Sequence, residues 1–266
     1  MGIFDKSKKE DKREGAVMPS FVLLSDIAFD PDLFAKTLKE DWGIELPAGD
    51  AQNKDDDAQP MIVTELDGMT VAISLMPGPV PNGEAVEVAK NNFRWPDAIK
   101  VAESHKAHVL IIVMPLKNQP LAEVAALHTK LCATCLKQPG AIAINAAGTV
   151  FDPAFYIGSA KFAIENNVFP IMNHIFFGIY SNDDGKTISG YTYGLETLGK
   201  QDLEILDSPR TADEVLGFLI DISAYIMGSD VTLKHGETLG ATEAQKLAIT
   251  ESDGVALASK TLKIDF

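Results

Sequence analysis

With 266 residues, 46% of them hydrophobic, the chain can bury a large core as one body or as two fused units. A formal charge of −15 argues against a nucleic-acid or anionic-membrane surface, since both need a basic footprint. No run of 18 or more apolar residues offers a membrane span.

Residues 1–20 are charged and lack the apolar core of a signal peptide, so they read as a solvated, mobile tail on a cytoplasmic protein. Gly2 invites a myristoylation reading, but Ser7 falls one place late for that pattern. The two cysteines are then expected as free thiols.

A strand over 21–24 is followed by Asp30 as a helix cap with Pro31 at the first position. That helix runs through Leu33, Phe34 and Leu38 to Trp42 and closes at Gly43. A polar loop over 47–60 contains Asp55-Asp56-Asp57 without the spacing of a calcium loop. Strands over 61–66 and 69–76 flank Asp67-Gly68, a strong hairpin signal. The second of them is apolar at nearly every position, which predicts burial on both faces.

Met76-Pro77-Gly78-Pro79-Val80-Pro81 stops that strand, because proline cannot donate to a ladder. Asn82 is the expected cap of the next helix, with Glu84 and Glu87 at its positive end. Pro96 predicts a break into two shorter helices, with Trp95 wedged at the break, and 109–114 reads as a central buried strand. The order to this point is β-α-β-β-α-β, the ferredoxin-like order.

The segment from Met76 to Val113, with its Met-Pro-x-Pro-x-Pro stop, Trp95-Pro96 step and His105-x-x-His108 pair before a buried strand, is similar to the hallmark of a bacterial family, the domain of unknown function 4261 family. The resemblance continues along 21–266, through Leu195-Glu196-Thr197-Leu198-Gly199 and the segment 233–240. It implies an α+β domain and assigns no activity and no catalytic residue.

A linking helix over 120–137 ends at Pro139-Gly140, and a strand over 141–146 follows. Phe151-Asp152-Pro153 then echoes Phe29-Asp30-Pro31, which suggests a duplicated unit. The second copy is expected to contain strands over 171–181, 187–197 and 202–206, a helix over 211–227 started by Asp207 or Ser208, and strands near 246–250 and 262–265. The expected organisation is a tail (1–20), a first βαββαβ unit (21–118), a linking helix (119–140) and a second such unit with extra edge strands (141–266). With no flexible linker between them, the two ferredoxin-like units should form one compact α+β body.

His128, Cys132 and Cys135 share one face of the linking helix and form a recognisable soft-metal set. Leu121, Val124, Ala125 and Leu131 share that face, so core packing is the stronger reading. The Cys-x-x-Cys spacing lies near the helix C-terminus, where the dipole would oppose a reactive thiolate. His105 and His108 could form a proton-transfer or metal pair with His174, although a helix-end cap explains His105 as well. Tyr191 and Tyr193 share a strand face near Glu196 and could form a binding platform; cross-strand packing is the commoner cause. His235, in the turn before Leu239-Gly240, is a candidate base.

No phosphate loop, GxSxG elbow or HExxH occurs. The leading functional expectation is therefore a non-enzymatic, adaptor- or immunity-like protein whose acidic surface meets a basic protein, with no nucleic-acid or membrane partner. The alternative is an enzyme or a small-ligand or cofactor binder using a cleft between the two units; no cofactor is indicated.

Overall fold

The computed structural model describes residues 18–47, 60–116, 119–182, 185–240 and 246–266. The proposed tail up to residue 17, most of the polar loop with its three aspartates, and Asp183-Asp184 lie outside the described residues.

The fold is mixed α+β, built on two six-stranded sheets. The first contains β1 (Met18–Leu24), β2 (Met61–Leu66), β3 (Met69–Met76), β4 (Ala107–Pro115), β5 (Ala141–Ala146) and β6 (Thr149–Phe151), in the order β2-β3-β4-β1-β5-β6. Asp67 and Gly68 both have positive φ (51° and 76°), so the β2–β3 hairpin turns with the twist of its strands, as the Asp-Gly pair predicts. Every neighbouring pair in this sheet is antiparallel.

The strand order departs from the ferredoxin-like expectation. Three antiparallel steps, β2 to β3 to β4 to β1, leave β1 and β2 antiparallel, whereas a split βαβ unit requires them parallel. Moreover β5 and β6, read from the sequence as opening a second unit, pair with β1 in the first sheet. A tandem ferredoxin-like duplication is not confirmed. The echoed Phe-Asp-Pro segments are alike locally: Asp30 caps α1 (Pro31–Trp42) and Asp152 caps α5 (Pro153–Glu165) through side-chain oxygens.

The two faces of the first sheet are covered differently. Ile73 and Leu75 of β3 and Val109 and Ile111 of β4 face the main core, against α1 and α4 (Leu121–Cys135). On the other face α2 (Glu84–Ala89) and α3 (Ala98–Ser104) pack on Leu23, Ala143 and Val150 with Trp95 between them. These helices cover only the β1-β5-β6 end, so β3 alternates buried and half-buried residues instead of being buried on both faces. The break at Pro96 separates α2 from α3 as expected. Asn82 is not the cap, however: it takes a left-handed backbone in a 3-10 turn (Pro81–Gly83), and Gly83 precedes the helix without a side-chain cap.

The second sheet runs β10-β11-β12-β9-β8-β7, with β7 (Phe176–Asn182), β8 (Thr187–Tyr193), β9 (Leu203–Ser208), β10 (Thr238–Leu239), β11 (Leu247–Asp253) and β12 (Lys260–Ile264). Its β9–β12 pair is parallel, joined through α7 (Ala212–Gly228), and the rest are antiparallel. The start of α7 is set by Thr211, in a reciprocal capping box with Glu214, and not by Asp207 or Ser208. Residues 171–174, expected in a strand, form the short helix α6 (Ile171–His174) after Pro170, and β7 begins at Phe176. The sequence run is apolar throughout, and such a run does not distinguish a strand from a buried helical turn. One hydrophobic cluster includes side chains of both sheets, from Met18 to Ile264.

Gly190 lets α7 lie close on β8: a Cβ there would come within 2.8–2.9 Å of Ile179, Val215 and Leu219 side-chain carbons. Gly190→Val should therefore cost about 1–3 kcal/mol in urea unfolding. An unchanged midpoint would show that this packing is not tight.

Candidate functional site

Four of the five histidines fall into two groups. His105 and His108 hold the proline-rich turn after β3. His105 accepts a hydrogen bond from Val80 N–H at 2.8 Å through Nε2, and its Nδ1 donates to the Ala102 carbonyl. His108 Nδ1 lies 2.8 Å from the Gly78 carbonyl, and its ring meets Phe21 edge-on at 5.5 Å. Burial lowers the His108 pKa, the Gly78 bond opposing and His105 adding to the shift.

His174 sits on α6, and its ring centroid is 5.3 Å from that of His128 on α4. Its Nε2 lies 2.9 Å from Thr129 Oγ1 and 3.2 Å from the Ala125 carbonyl, while His128 Nε2 is 3.5 Å from Cys132 Sγ. Burial pushes His174 down to about 4, with the Ala125 bond opposing; burial, and after it His174, push His128 well below its ordinary value. Both imidazoles are neutral near neutral pH.

Burial also raises the thiols, Cys132 to about 12 against opposing contacts from Tyr156 and Ser20, and Cys135 well above its ordinary value with Cys132 adding to the effect. Neutral thiols beside neutral imidazoles make a packed polar core and a poor nucleophile. No group of three or more His, Cys, Asp or Glu side chains able to hold a metal occurs among the described residues. Tyr156 Oη and Asn173 Oδ1, in this cluster, have no hydrogen-bond partner of good geometry, although Asn173 Nδ2 donates to the Tyr156 carbonyl at 3.0 Å.

The other candidates stand apart from these. Tyr191 packs beside Phe176 and Tyr180 and covers its cross-strand partner Gly178, where a Cβ would strike its ring. Tyr193 lies over Gly148, so the β5–β6 turn of the first sheet rests on β8 of the second. Glu196 is exposed and lines a shallow hollow with Tyr193, Asp202, Leu257 and Ser259. His235 Nδ1 accepts from Glu251 N–H at 3.1 Å and ties its turn to β11.

None of the candidate site residues read from the sequence lines the apolar cleft of about 280 Å³ at the seam of the two sheets. One wall is the connector between α2 and α3, with Asn92, Arg94 and Trp95; another is Phe151, Asp152 and Phe155; the third is Met172, Ile175, Phe176 and Phe177. Asn92 builds the first wall: its Oδ1 accepts from Arg94 N–H and Trp95 N–H at 3.0 and 3.1 Å, and its Nδ2 donates to Val150 O at 2.8 Å. Asn91 adds a bond to the Gly148 carbonyl. Phe151 and Phe155 stack at 5.7 Å with their planes 15° apart, because the Asp152 cap starts α5 between them.

Arg94 is the cationic member of this lining and is exposed at the rim, its guanidinium carbon 5.6 Å from the Phe93 ring centroid. It forms no ion pair among the described residues. Partial burial lowers its pKa and Asp213, in the first turn of α7, opposes the shift; an arginine guanidinium is charged at ordinary pH. The sequence clue was the Trp95-Pro96 step beside a basic residue; its partners lie far along the chain and left no local pattern.

The architecture is thus a two-sheet α+β protein with an aromatic cleft. The model of the DUF4261 family, a domain of unknown function, matches residues 191–265, that is from the last residues of β8 through α7 to β12. This supports the family resemblance over the second sheet; the segment from Met76 to Val113 lies outside the matched range. No curated protein and no solved structure matches the chain.

The lowered pKa of His174, which is half-buried, predicts an acid response. Below pH ~6.5 the unfolded chain protonates its histidines, while folded His174 resists until about 4. Stability should therefore fall as the pH drops through that interval, by roughly 3 kcal/mol for His174 alone. His174→Gln should flatten urea midpoints against pH by about one proton, and an unchanged slope would remove His174 from the account. Cys132 and Cys135 should react with a thiol reagent at mildly alkaline pH only as fast as the protein unfolds. A rapid native-state reaction would contradict their burial.

Proposed function

We propose that this is a binding protein whose recognition site is the aromatic cleft between the two sheets. The observation that carries this reading is an apolar, aromatic-walled recess holding a charged guanidinium with no ion pair among the described residues. Ligand sites commonly combine predominantly apolar walls with a few placed polar groups. The histidines and thiols support binding over catalysis, since each is engaged with the backbone or enclosed as a neutral group. Saturation-transfer NMR with a library of compact apolar fragments should find ligands that perturb the Trp95 indole. Phe155→Ala, which removes one wall at a partly exposed position, should weaken them about tenfold. Ligands that leave Trp95 unperturbed and bind Phe155→Ala equally well would overturn the reading.

A second reading rests on the charge of −15: an adaptor- or immunity-like cytoplasmic protein that meets a basic protein across its acidic surface. No helix among the described residues is long and apolar enough to cross a membrane. Under this reading, native mass spectrometry of gently purified protein should show a basic partner at fixed stoichiometry, lost as ionic strength rises. A salt-insensitive complex or a bare mass would count against it.

A further inference from the structure

We infer that the cleft takes a compact apolar monocarboxylate, its carboxylate paired with Arg94 and its apolar body held among Trp95, Phe155 and Phe176. This inference rests on the reading of the cleft as the recognition site and adds the chemical class of its ligand. The polar side chains of the lining carry the argument. Asn92 is spent on the connector itself, with its oxygen accepting two backbone N–H groups and its amide donating to Val150. Asp152 accepts from Phe155 N–H as the cap of α5. Arg94 alone of these three presents a planar fork of donors that makes no ion pair among the described residues.

A carboxylate matches that fork with two parallel hydrogen bonds, which a neutral amide or alcohol cannot do. The nearby carboxylates select for low ligand charge. Asp152 lines the cleft and Asp213 acts on Arg94 from α7, so a dianion such as a phosphate monoester meets more repulsion than a monoanion does. The recess is also small: about 280 Å³ lies just below the ~300–1,000 Å³ of ligand pockets, which suits a phenylalkanoate or a medium-chain fatty acid. The connector is already fixed by Asn91 and Asn92 on the β5–β6 hairpin, so the base of Arg94 needs no ordering when the ligand arrives.

The test is calorimetry or ligand-observed NMR on the full chain with 3-phenylpropanoate and octanoate, their primary amides, and phenyl phosphate. The acids should bind about tenfold or more tightly than the amides. Arg94→Gln, at an exposed position, should erase that difference by bringing the acids down to the level of the amides; Arg94→Lys should restore only part of it. Equal binding of acid and amide, or tighter binding of phenyl phosphate, would overturn the carboxylate assignment and leave the cleft as a binding site. Absence of binding by every probe, with the unfolding midpoint of the protein intact, would overturn both.

Discussion

The helix α4 is enclosed nearly all round, and much of the molecule is arranged to make that enclosure possible. It packs against α1, β1 and β4 on one side and α5 on the other, and nearly every residue from Val124 to Cys135 is buried. Such a helix cannot keep polar side chains without partners, because an unpaired buried group costs about 1–3 kcal/mol. Thr134 donates to the Lys130 carbonyl and accepts from the Trp42 indole of α1. His128 and Cys132 meet each other, and Thr129 meets His174 of α6. Just past its C-terminus, Gln138 bonds both backbone groups of Asp30 and so fixes the cap of α1. The polar side chains of α4 thereby specify which elements lie against it, while the apolar ones supply most of the burial.

That arrangement explains why the chemistry suggested by the histidines and cysteines is muted. A thiol and two imidazoles in close contact resemble a reactive set on paper. Burial without a compensating charge keeps the imidazoles neutral and the thiol protonated, and a protonated thiol is a poor nucleophile and a poor metal ligand. The second sheet treats charge differently. Glu204 is fully buried yet keeps a lowered pKa: burial raises it, and hydrogen bonds from Lys263, Ala256, Val255 and Thr261 outweigh that rise. The satisfied carboxylate ties the 254–259 turn to β9.

The cleft follows from how the two sheets meet. β6 is a three-residue strand at the edge of the first sheet, β7 is at the edge of the second, and each is flanked by a helix start or a short helix. Aromatic side chains from these ends face one another without closing the space, and the α2–α3 connector forms the remaining wall. Tyr193 over Gly148 and Asn91 on the Gly148 carbonyl hold the same hairpin from two sides. A short edge strand thus becomes a rigid rim for a recess.

The sequence by itself determined the features that depend on a few neighbouring residues. Asp30-Pro31 and Asp152-Pro153 start helices because a carboxylate can satisfy free N–H groups and proline suits the first turn; Asp67-Gly68 turns a hairpin; Gly43 ends α1 in a left-handed conformation; Pro96 divides α2 from α3. The buried strand β4 was legible from its apolar run, and His105 and Tyr191 took the packing roles that local chemistry favoured. Tertiary structure alone decided that β4 lies between β1 and β3, that β5 joins the first sheet, that residues 171–174 form a helical turn, and that His174 meets His128. The same holds for the cleft, whose walls are drawn from residues between Asn92 and Phe177. Strand partners and cleft walls depend on which distant apolar faces can be buried together, and that competition is settled only when the whole core packs.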